Sequence, residues 1–308
     1  IGLKWLFIPP KKIHPKIKEK YSNVAVIIPA YNEEDNISKS IRSAFNQTIK
    51  PKKVIVVDDC SLDETGKIRD ELKNIYKNLI VIHNKENKGK AYNTKYALFK
   101  YVNEEITIIL DSDTFLSKNY IEEITKPFIN KMVVITTGSS LLVKRKNFFS
   151  RIIYRGVMFQ YKFFSFRKKA QAYRNAISVI TGDSAAYRTS FLKEVGGLPQ
   201  GTQTEDMDVT WLALEMGYRV AYQGKAKARS VDAGTLKGHC KQLTRWYAGG
   251  FQCLVKHNKN LWKAKPLFLT TLLPAHIDSF LYSSFFLAAP IFLFINPYIT
   301  LAFYLADL

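Results

Sequence analysis

Short, unbroken apolar runs alternate with longer stretches whose apolar residues recur at helical spacing. Val24–Pro29, Lys53–Asp58, Leu79–His83, Thr107–Leu110 and Met132–Thr137 are short and rich in β-branched residues, which predicts strands. Asn36–Phe45, Thr65–Ile75, Lys90–Tyr101 and Lys118–Phe128 have the 3.6-residue period of helices. Strands that are apolar throughout, with helices between them, predict a parallel sheet covered on both faces. Ligands bind such sheets beyond the carboxyl ends of the strands.

Further on the pattern changes. Phe148–Phe166 places Phe149, Ile152, Ile153, Val157, Tyr161 and Phe164 on one helical face, opposite Arg151, Arg155 and Lys162. Such a helix either lies on a membrane surface or packs its apolar side on the sheet. A helix begins at Thr204–Asp206 and runs through Trp211-Leu212, and another spans Thr235–Val255. Ser279–Ala306 contains no charged residue and exceeds the roughly 20 apolar residues that cross a bilayer, although Pro290 and Pro297 interrupt it. The other end, Ile1–Ile8, resembles the cut end of a span, with Trp5 at an interface and basic residues after it, so a fragment of a longer membrane protein is expected. No signal-peptide cleavage site follows an apolar core. Lys11, Lys12, Lys16 and Lys18 flank one apolar end and Lys256, Lys259, Lys263 and Lys265 the other, which orients the middle of the chain toward the cytoplasm.

At 308 residues the chain is long enough for one large domain or two modest ones. Its net charge of +20 points either to an acidic partner (nucleic acid, anionic lipid or a diphosphate substrate) or simply to ordinary solvated lysines. Three widely spaced cysteines make no disulfide framework and fit a reducing compartment. His239, Cys240, Cys253 and His257 match no common zinc spacing.

Candidate chemistry sits at the strand ends. The chain lacks both G-x-G-x-x-G and a G-x-x-x-x-G-K-[ST] phosphate loop, so any nucleotide must be held by side chains and a metal. After the first strand, Tyr31 and Glu33 are placed to touch a base and ribose, or simply belong to a polar turn that caps the next helix. After the second, Asp58-Asp59 can accept from a uracil N–H or a ribose hydroxyl, or serve as a cap. Gly89-Lys90 opens a helix whose N–H groups and lysine suit a phosphate. Asp111 and Asp113, two residues apart at a buried strand's end, offer the oxygen ligands that Mg²⁺ or Mn²⁺ takes alongside substrate phosphates. Asp206, if in the pocket, is the credible base for an acceptor hydroxyl. Gln242, Arg245 and Trp246 share one helical face, where arginine can hold a diphosphate and tryptophan can stack on a sugar.

In this order the clusters resemble family 2 glycosyltransferases of the membrane-embedded polysaccharide-synthase type, which include cellulose, hyaluronan and poly-N-acetylglucosamine synthases. The resemblance runs from about Val24 to Gln252. Its most specific part is Thr204-Glu205-Asp206 with Gln242-x-x-Arg245-Trp246. It implies a nucleotide-diphospho-sugar transferase (GT-A) fold, α/β with a mixed, mostly parallel sheet, followed by interfacial and transmembrane helices. The implied divisions are 1–20 (the end of a membrane segment with a basic linker), 21–234 (catalytic domain), 235–265 (amphipathic interface helix) and 266–308 (membrane-associated). Implied roles are uridine contact by Tyr31, Glu33 and Asp59, phosphate approach by Lys90, and nucleotide and metal contact by Asp111. Asp113 would bind Mg²⁺ or Mn²⁺ and Asp206 would be the base. Gln242 and Arg245 would grip the diphosphate, with Trp246, Gly182 and Glu205 toward the acceptor. The implied reaction inverts the donor sugar of a UDP-sugar onto a β-linked polysaccharide at the cytoplasmic face of the cell membrane, with membrane lipid as a partner and no nucleic acid. The alternatives are one transfer to a lipid acceptor, as in ceramide glucosyltransferases, and a non-enzymatic membrane scaffold. Two departures stand out: Leu243-Thr244 occupy places where the family often has arginines, and Cys60 stands where it often has glycine.

Overall fold

The computed structural model describes residues 22–143, 148–231 and 235–273, with the backbone alone at 148–153 and 236. The predicted alternation appears almost residue for residue in the first half: β1 (Val24–Ala30), α1 (Ile37–Phe45), β2 (Lys53–Asp58), α2 (Thr65–Ile75), β3 (Leu79–His83), α3 (Lys90–Tyr101) and β4 (Ile106–Ile109). Strands β3, β2, β1 and β4 lie side by side and parallel. Both faces of β1 are buried: Val24, Val26 and Ile28 pack with Ile37 and Ile41 of α1, while Ala25 and Ile27 pack on the other side with Ala97 and Leu98 of α3. That explains the unbroken apolar run.

Past β4 the chain does not continue the pattern. It leaves the sheet at Asp111 and rejoins at the far edge as β5 (Thr114–Leu116). The helix predicted over Lys118–Phe128 is α4 (Tyr120–Thr125) followed by a 3₁₀ turn at Lys126–Ile129, where Pro127 lacks the N–H that would continue an α-helix. Then come β6 (Val133–Leu142), α5 (Phe148–Ala172), β7 (Ala186–Arg188), α6 (Thr189–Glu194), α7 (Glu205–Glu215), β8 (Arg219–Ser230) and α8 (Leu236–His257). A run of short helical turns covers Leu261–Leu272. The sheet has eight strands in the order β3-β2-β1-β4-β7-β6-β8-β5, with β7 antiparallel to both its neighbours and β5 antiparallel to β8. It is mixed and mostly parallel.

Among the described residues no helix is long and apolar enough to cross a membrane. The uncharged stretch Ser279–Ala306 and the N-terminal Ile1–Ile8 lie outside the described residues.

Strand β6 is irregular where it pairs with β8, and Gly138 lies in that irregularity, between Thr137 and Ser139. A Cβ there would come within 2.5 Å of the Ala226 carbonyl oxygen and 3.1 Å of the Tyr120 hydroxyl. Gly138→Ala is expected to destabilise the fold by about 1–3 kcal/mol through overpacking, read as a lower denaturant midpoint at unchanged slope.

Candidate active site

The turn between β4 and β5 carries the paired acids. It is pinned from both sides: the Asp111 N–H donates to the Asp183 carbonyl (2.8 Å), Thr114 N–H to the Asp111 carbonyl (3.0 Å), and Val231 N–H to the Asp113 carbonyl (3.2 Å). Crossing from a central strand to an edge strand is what thrusts Asp111-Ser112-Asp113 out beyond the sheet. Burial, followed by the charges of Asp111, Glu33 and Asp183, pushes the Asp113 carboxyl up to about 7. Asp183 is itself raised by burial, although it accepts from the Ser140 and Ser184 hydroxyls.

The two aspartates at the end of β2 separate in role. Asp58 points into the fold and pairs with fully buried Arg69 at 2.9 Å while also accepting from Ser61 N–H and Oγ. Asp59 lines the cavity. Its carboxylate accepts from Lys88 N–H (2.8 Å), Gly89 N–H (2.7 Å) and Asn84 Nδ2 (3.1 Å). Burial works to raise it, but these bonds win and hold it below its ordinary value. Asp59 thus ties down the loop that delivers Lys90. In that loop Gly89 has φ +82°, a left-handed conformation that suits glycine. Cys60 also sits at φ +64°, so a side chain occupies the backbone shape that glycine adopts most readily.

Lys90 is the junction. Its Nζ lies 2.7 Å from Asp111 Oδ1, 3.1 Å from Glu205 Oε1 and 3.2 Å from the Gly182 carbonyl. Burial opposes the charge, yet the two carboxylates raise its pKa well above that of an ordinary lysine. On Glu205 burial acts upward and Lys90 outweighs it, leaving the carboxyl below its usual value. Asp206, beside it in the first turn of α7, behaves oppositely: burial and then the Glu205 charge push it up to about 6 against Lys90, the Met207 N–H and Lys168. Gly182 makes room for this acid. A Cβ there would meet Asp206 Oδ2 at 2.9 Å, so Gly182 contributes a carbonyl and an absence of side chain rather than a contact group.

Gln242, Arg245 and Trp246 project from α8, and α5 closes the opposite side with Tyr161, Phe164 and Lys168. The resulting cavity has a volume of about 920 Å³. Tyr31, Glu33, Asp59, Lys90, Asp111, Asp113, Gly182, Glu205, Asp206, Gln242, Arg245 and Trp246 all line it. Gln242 Oε1 is buried and accepts no hydrogen bond from a described residue.

Sequence reasoning did not single out Lys168, which is 8% exposed. It donates to Thr181 Oγ1 and faces Asp183 and Asp206; burial lowers it to about 8. Its signal in the sequence, one lysine of Arg167-Lys168-Lys169, was indistinguishable from a solvated basic run. Ser140 lies on β6 beyond the predicted strand end, which concealed its reach to Asp183.

Among the described residues no three His, Cys, Asp or Glu side chains form a group that could hold a metal by themselves. Mg²⁺ or Mn²⁺ commonly uses one or two carboxylates and completes its shell with substrate phosphate and water. The donor set fits: Asp111 and Asp113 line one cavity two residues apart, and burial with the charges of Asp111, Glu33 and Asp183 raises Asp113, as negative charge in need of a cation does.

A profile described as glycosyl transferase family 2 matches residues 25–196, which ends before α7 and α8. The chain is 25% identical over 268 residues to a poly-beta-1,6-N-acetyl-D-glucosamine synthase of Staphylococcus epidermidis, covering 85% of this chain and 62% of that protein. It is 27% identical over 268 residues to a hyaluronan synthase of Streptococcus pyogenes, covering 82% and 61%. The chain therefore spans about three-fifths of the length of these relatives. Among solved structures, the mannosyltransferase PcManGT from Pyrobaculum calidifontis superposes with a TM-score of 0.66 at 20% identity over 96% of this chain and 87% of that one. This likeness shows the nucleotide-diphospho-sugar transferase (GT-A) fold. With more than half of its length matched by the family profile, the chain belongs to glycosyl transferase family 2.

Proposed function

We propose that this transferase is an inverting, metal-dependent enzyme that moves a sugar from a UDP-sugar onto a growing β-linked polysaccharide at the cytoplasmic face of a membrane. In this proposal residues 21–234 form the catalytic domain, 235–265 the interface helix, and 1–20 and 266–308 the membrane-associated ends. The observation that carries it is Lys90 joining Asp111 to Glu205 within one cavity, which sets the acid pair of the donor side next to the acids opening α7. The names of the relatives, synthases of two polysaccharides, support the product class. The solved mannosyltransferase was captured with GDP-Man and Mn²⁺, and a second fold neighbour, GalNAc-T7 (TM-score 0.53), with UDP, GalNAc and Mn²⁺.

In the proposed mechanism Tyr31, Glu33 and Asp59 meet the uridine, and Lys90, Gln242 and Arg245 face the diphosphate. Asp113 with Asp111 would hold Mg²⁺ or Mn²⁺, which supplies a Lewis acid that offsets charge growing on the leaving diphosphate. Asp206 takes the proton from the acceptor hydroxyl as that oxygen attacks the anomeric carbon from the face opposite the diphosphate, which inverts the centre. Trp246 stacks on the acceptor sugar, and Gly182 and Glu205 shape its end of the cavity. A pKa of about 6 leaves Asp206 ionised at neutral pH yet basic enough to accept the proton.

A second reading, transfer of a single sugar to a lipid, is favoured by one feature. The acceptor half of the cavity carries Phe164, Phe251, Leu254 and Leu272, an apolar wall suited to a hydrocarbon tail. Product size distinguishes the two: a ladder or high polymer for the polysaccharide, one glycolipid species for the alternative.

The primary test is UDP release by purified protein across a panel of UDP-sugars, with GDP-mannose as comparison, in Mg²⁺ or Mn²⁺. Release with no UDP-sugar would refute the donor class. Asp206→Asn is expected to lower kcat by about 10²–10⁴-fold while calorimetric UDP affinity persists; parallel loss of UDP binding would remove it from the role of base. Because the base must be deprotonated, wild-type kcat/KM is expected to fall as pH drops through about 6. Asp113→Ala should abolish transfer together with the response to added metal, and full activity of the wild type in chelator would contradict that.

A further inference from the structure

The second half of α8 is fastened to α7 by a charged cluster that the proposed chemistry does not use. His257, at the end of α8, lies with Nε2 2.9 Å from Asp208 Oδ1 and Nδ1 2.8 Å from Glu215 Oε1. With a carboxylate on each nitrogen, both ring N–H groups donate and the ring is an imidazolium. Asp208 and Glu215 are two helical turns apart, so one histidine grips α7 near both its ends. Lys256 Nζ completes Asp208 at 2.7 Å, and Thr202 Oγ1 donates to the same carboxylate at 3.0 Å. All three acids and bases of the bridge are buried: Asp208 1% exposed, His257 5%, Glu215 6% by side chain. The Trp211 ring stands edge-on to the imidazole at 5.7 Å.

Between this anchor and Trp246 the tightest approach of the two helices is at Gly249, with the Cys253 thiol also 3.5 Å from Thr204 Oγ1. A Cβ on Gly249 would lie 2.5 Å from Thr204, the residue immediately before Glu205. Nearby, Gln252 Oε1 accepts from the Gln203 N–H at 2.8 Å. Gly249 is therefore a fulcrum. At about 1.5 Å per residue, Trp246 stands roughly 4–5 Å to one side along the axis and His257 roughly 12 Å to the other. Fixing the long arm fixes where the short arm carries Trp246, and with it Arg245, relative to Asp206.

We propose that His257, bridging Asp208 and Glu215, is a positioning residue of this transferase: it sets the tilt of α8 on α7 and so the placement of Trp246 and Arg245 over the catalytic acid. The inference rests on the proposed roles of Asp206 and Trp246, but its geometric part stands apart from them. Burial of a charged cluster costs more than an apolar contact of similar size. What two carboxylates converging on one ring add is a single defined register between helices. The relation of Gly249 to Thr204 alone would permit a range of tilts.

The test uses the full chain with a spin label on exposed native Cys240 near the start of α8 and a second on Glu71→Cys, an exposed position of α2, with Cys60 replaced by serine. His257→Gln keeps the volume but cannot hold both carboxylates. It is expected to broaden or shift the label–label distance distribution and to lower transfer at saturating donor by about 10–100-fold, with a smaller loss of UDP affinity through the displaced Arg245. His257→Arg, which restores two charged donors, is expected to recover both. Should His257→Gln fail to fold, Gln252→Ala, which removes the neighbouring tie at a partly exposed site, is expected to give the same changes in weaker form. An unaltered distance distribution, or transfer at the wild-type rate below the melting point, overturns the proposal. So does a His257→Gln defect that saturating donor abolishes. A shifted distance with Trp246→Ala retaining full transfer would leave the clamp in place and refute instead the role given to Trp246.

Discussion

The cavity is arranged around one half-buried ammonium group. Lys90 Nζ contacts Asp111, Glu205 and the carbonyl of Gly182, groups that arrive from β4, α7 and the segment before β7. Without a cation at that point, Asp111, Glu205, Asp206, Asp113 and Asp183 would repel one another in a partly dehydrated space, and the loops that bear them would separate. The lysine is delivered by a loop whose backbone is tied to Asp59. Asp59 in turn follows directly on β2, whose Val54–Val57 are fully buried. A rigid parallel core thereby fixes the position of one charge, and that charge fixes two distant stretches of chain.

The same reasoning explains which parts were legible in the sequence. The first half was read nearly to the residue because β1, β2 and β4 are buried on both faces, so sequence alone carries their period. Beyond Asp111 most helices and β6 were still read, α8 almost to its ends, but the remaining strands were not. Strands β5 and β7 are three residues each, too short to show a period. The sequence of β8, Arg219–Ser230, alternates lysine and arginine with small residues and lacks a run of large apolar ones. Its pairing with β6 is a tertiary choice. The gathering of Asp111, Glu205 and Arg245 into one cavity could be anticipated only by resemblance, since nothing in their spacing tells that a central strand will hand its loop to a far edge. Lys168 and the His257 bridge escaped for a related reason: each is an ordinary basic residue until the helix that carries it docks.

The basic composition of the chain and the acidity of its cavity are two sides of one arrangement. With net charge +20 the protein bears a broad positive field that favours the approach of a nucleoside diphosphate. An acidic cavity would repel that ligand at short range unless a divalent cation came with it. Under the proposed function, field and cavity together would select a metal-bound diphosphate over a bare one, a selectivity that neither lysines nor aspartates would give alone.

The buried acids divide by what the protein itself offers them. Asp58 has Arg69 and Ser61, Asp59 has the N–H groups of its loop, and Asp208 has His257, Lys256 and Thr202. Of these, Asp59 and Asp208 are held below the ordinary carboxylate value. Asp113, Asp206, Asp183 and Glu33 are raised, because burial and neighbouring carboxylates exceed the compensation they receive. A fold that can satisfy acids as fully as it satisfies Asp208 has no physical need to leave Asp113 and Asp206 short of partners. Leaving them short costs stability at neutral pH, since each must lose its proton against its surroundings. The deficit is concentrated on the wall of one cavity, where an arriving cation and an arriving hydroxyl can relieve it. Acids satisfied by the fold therefore hold it together, and acids left unsatisfied are the ones the proposed function assigns to its ligands.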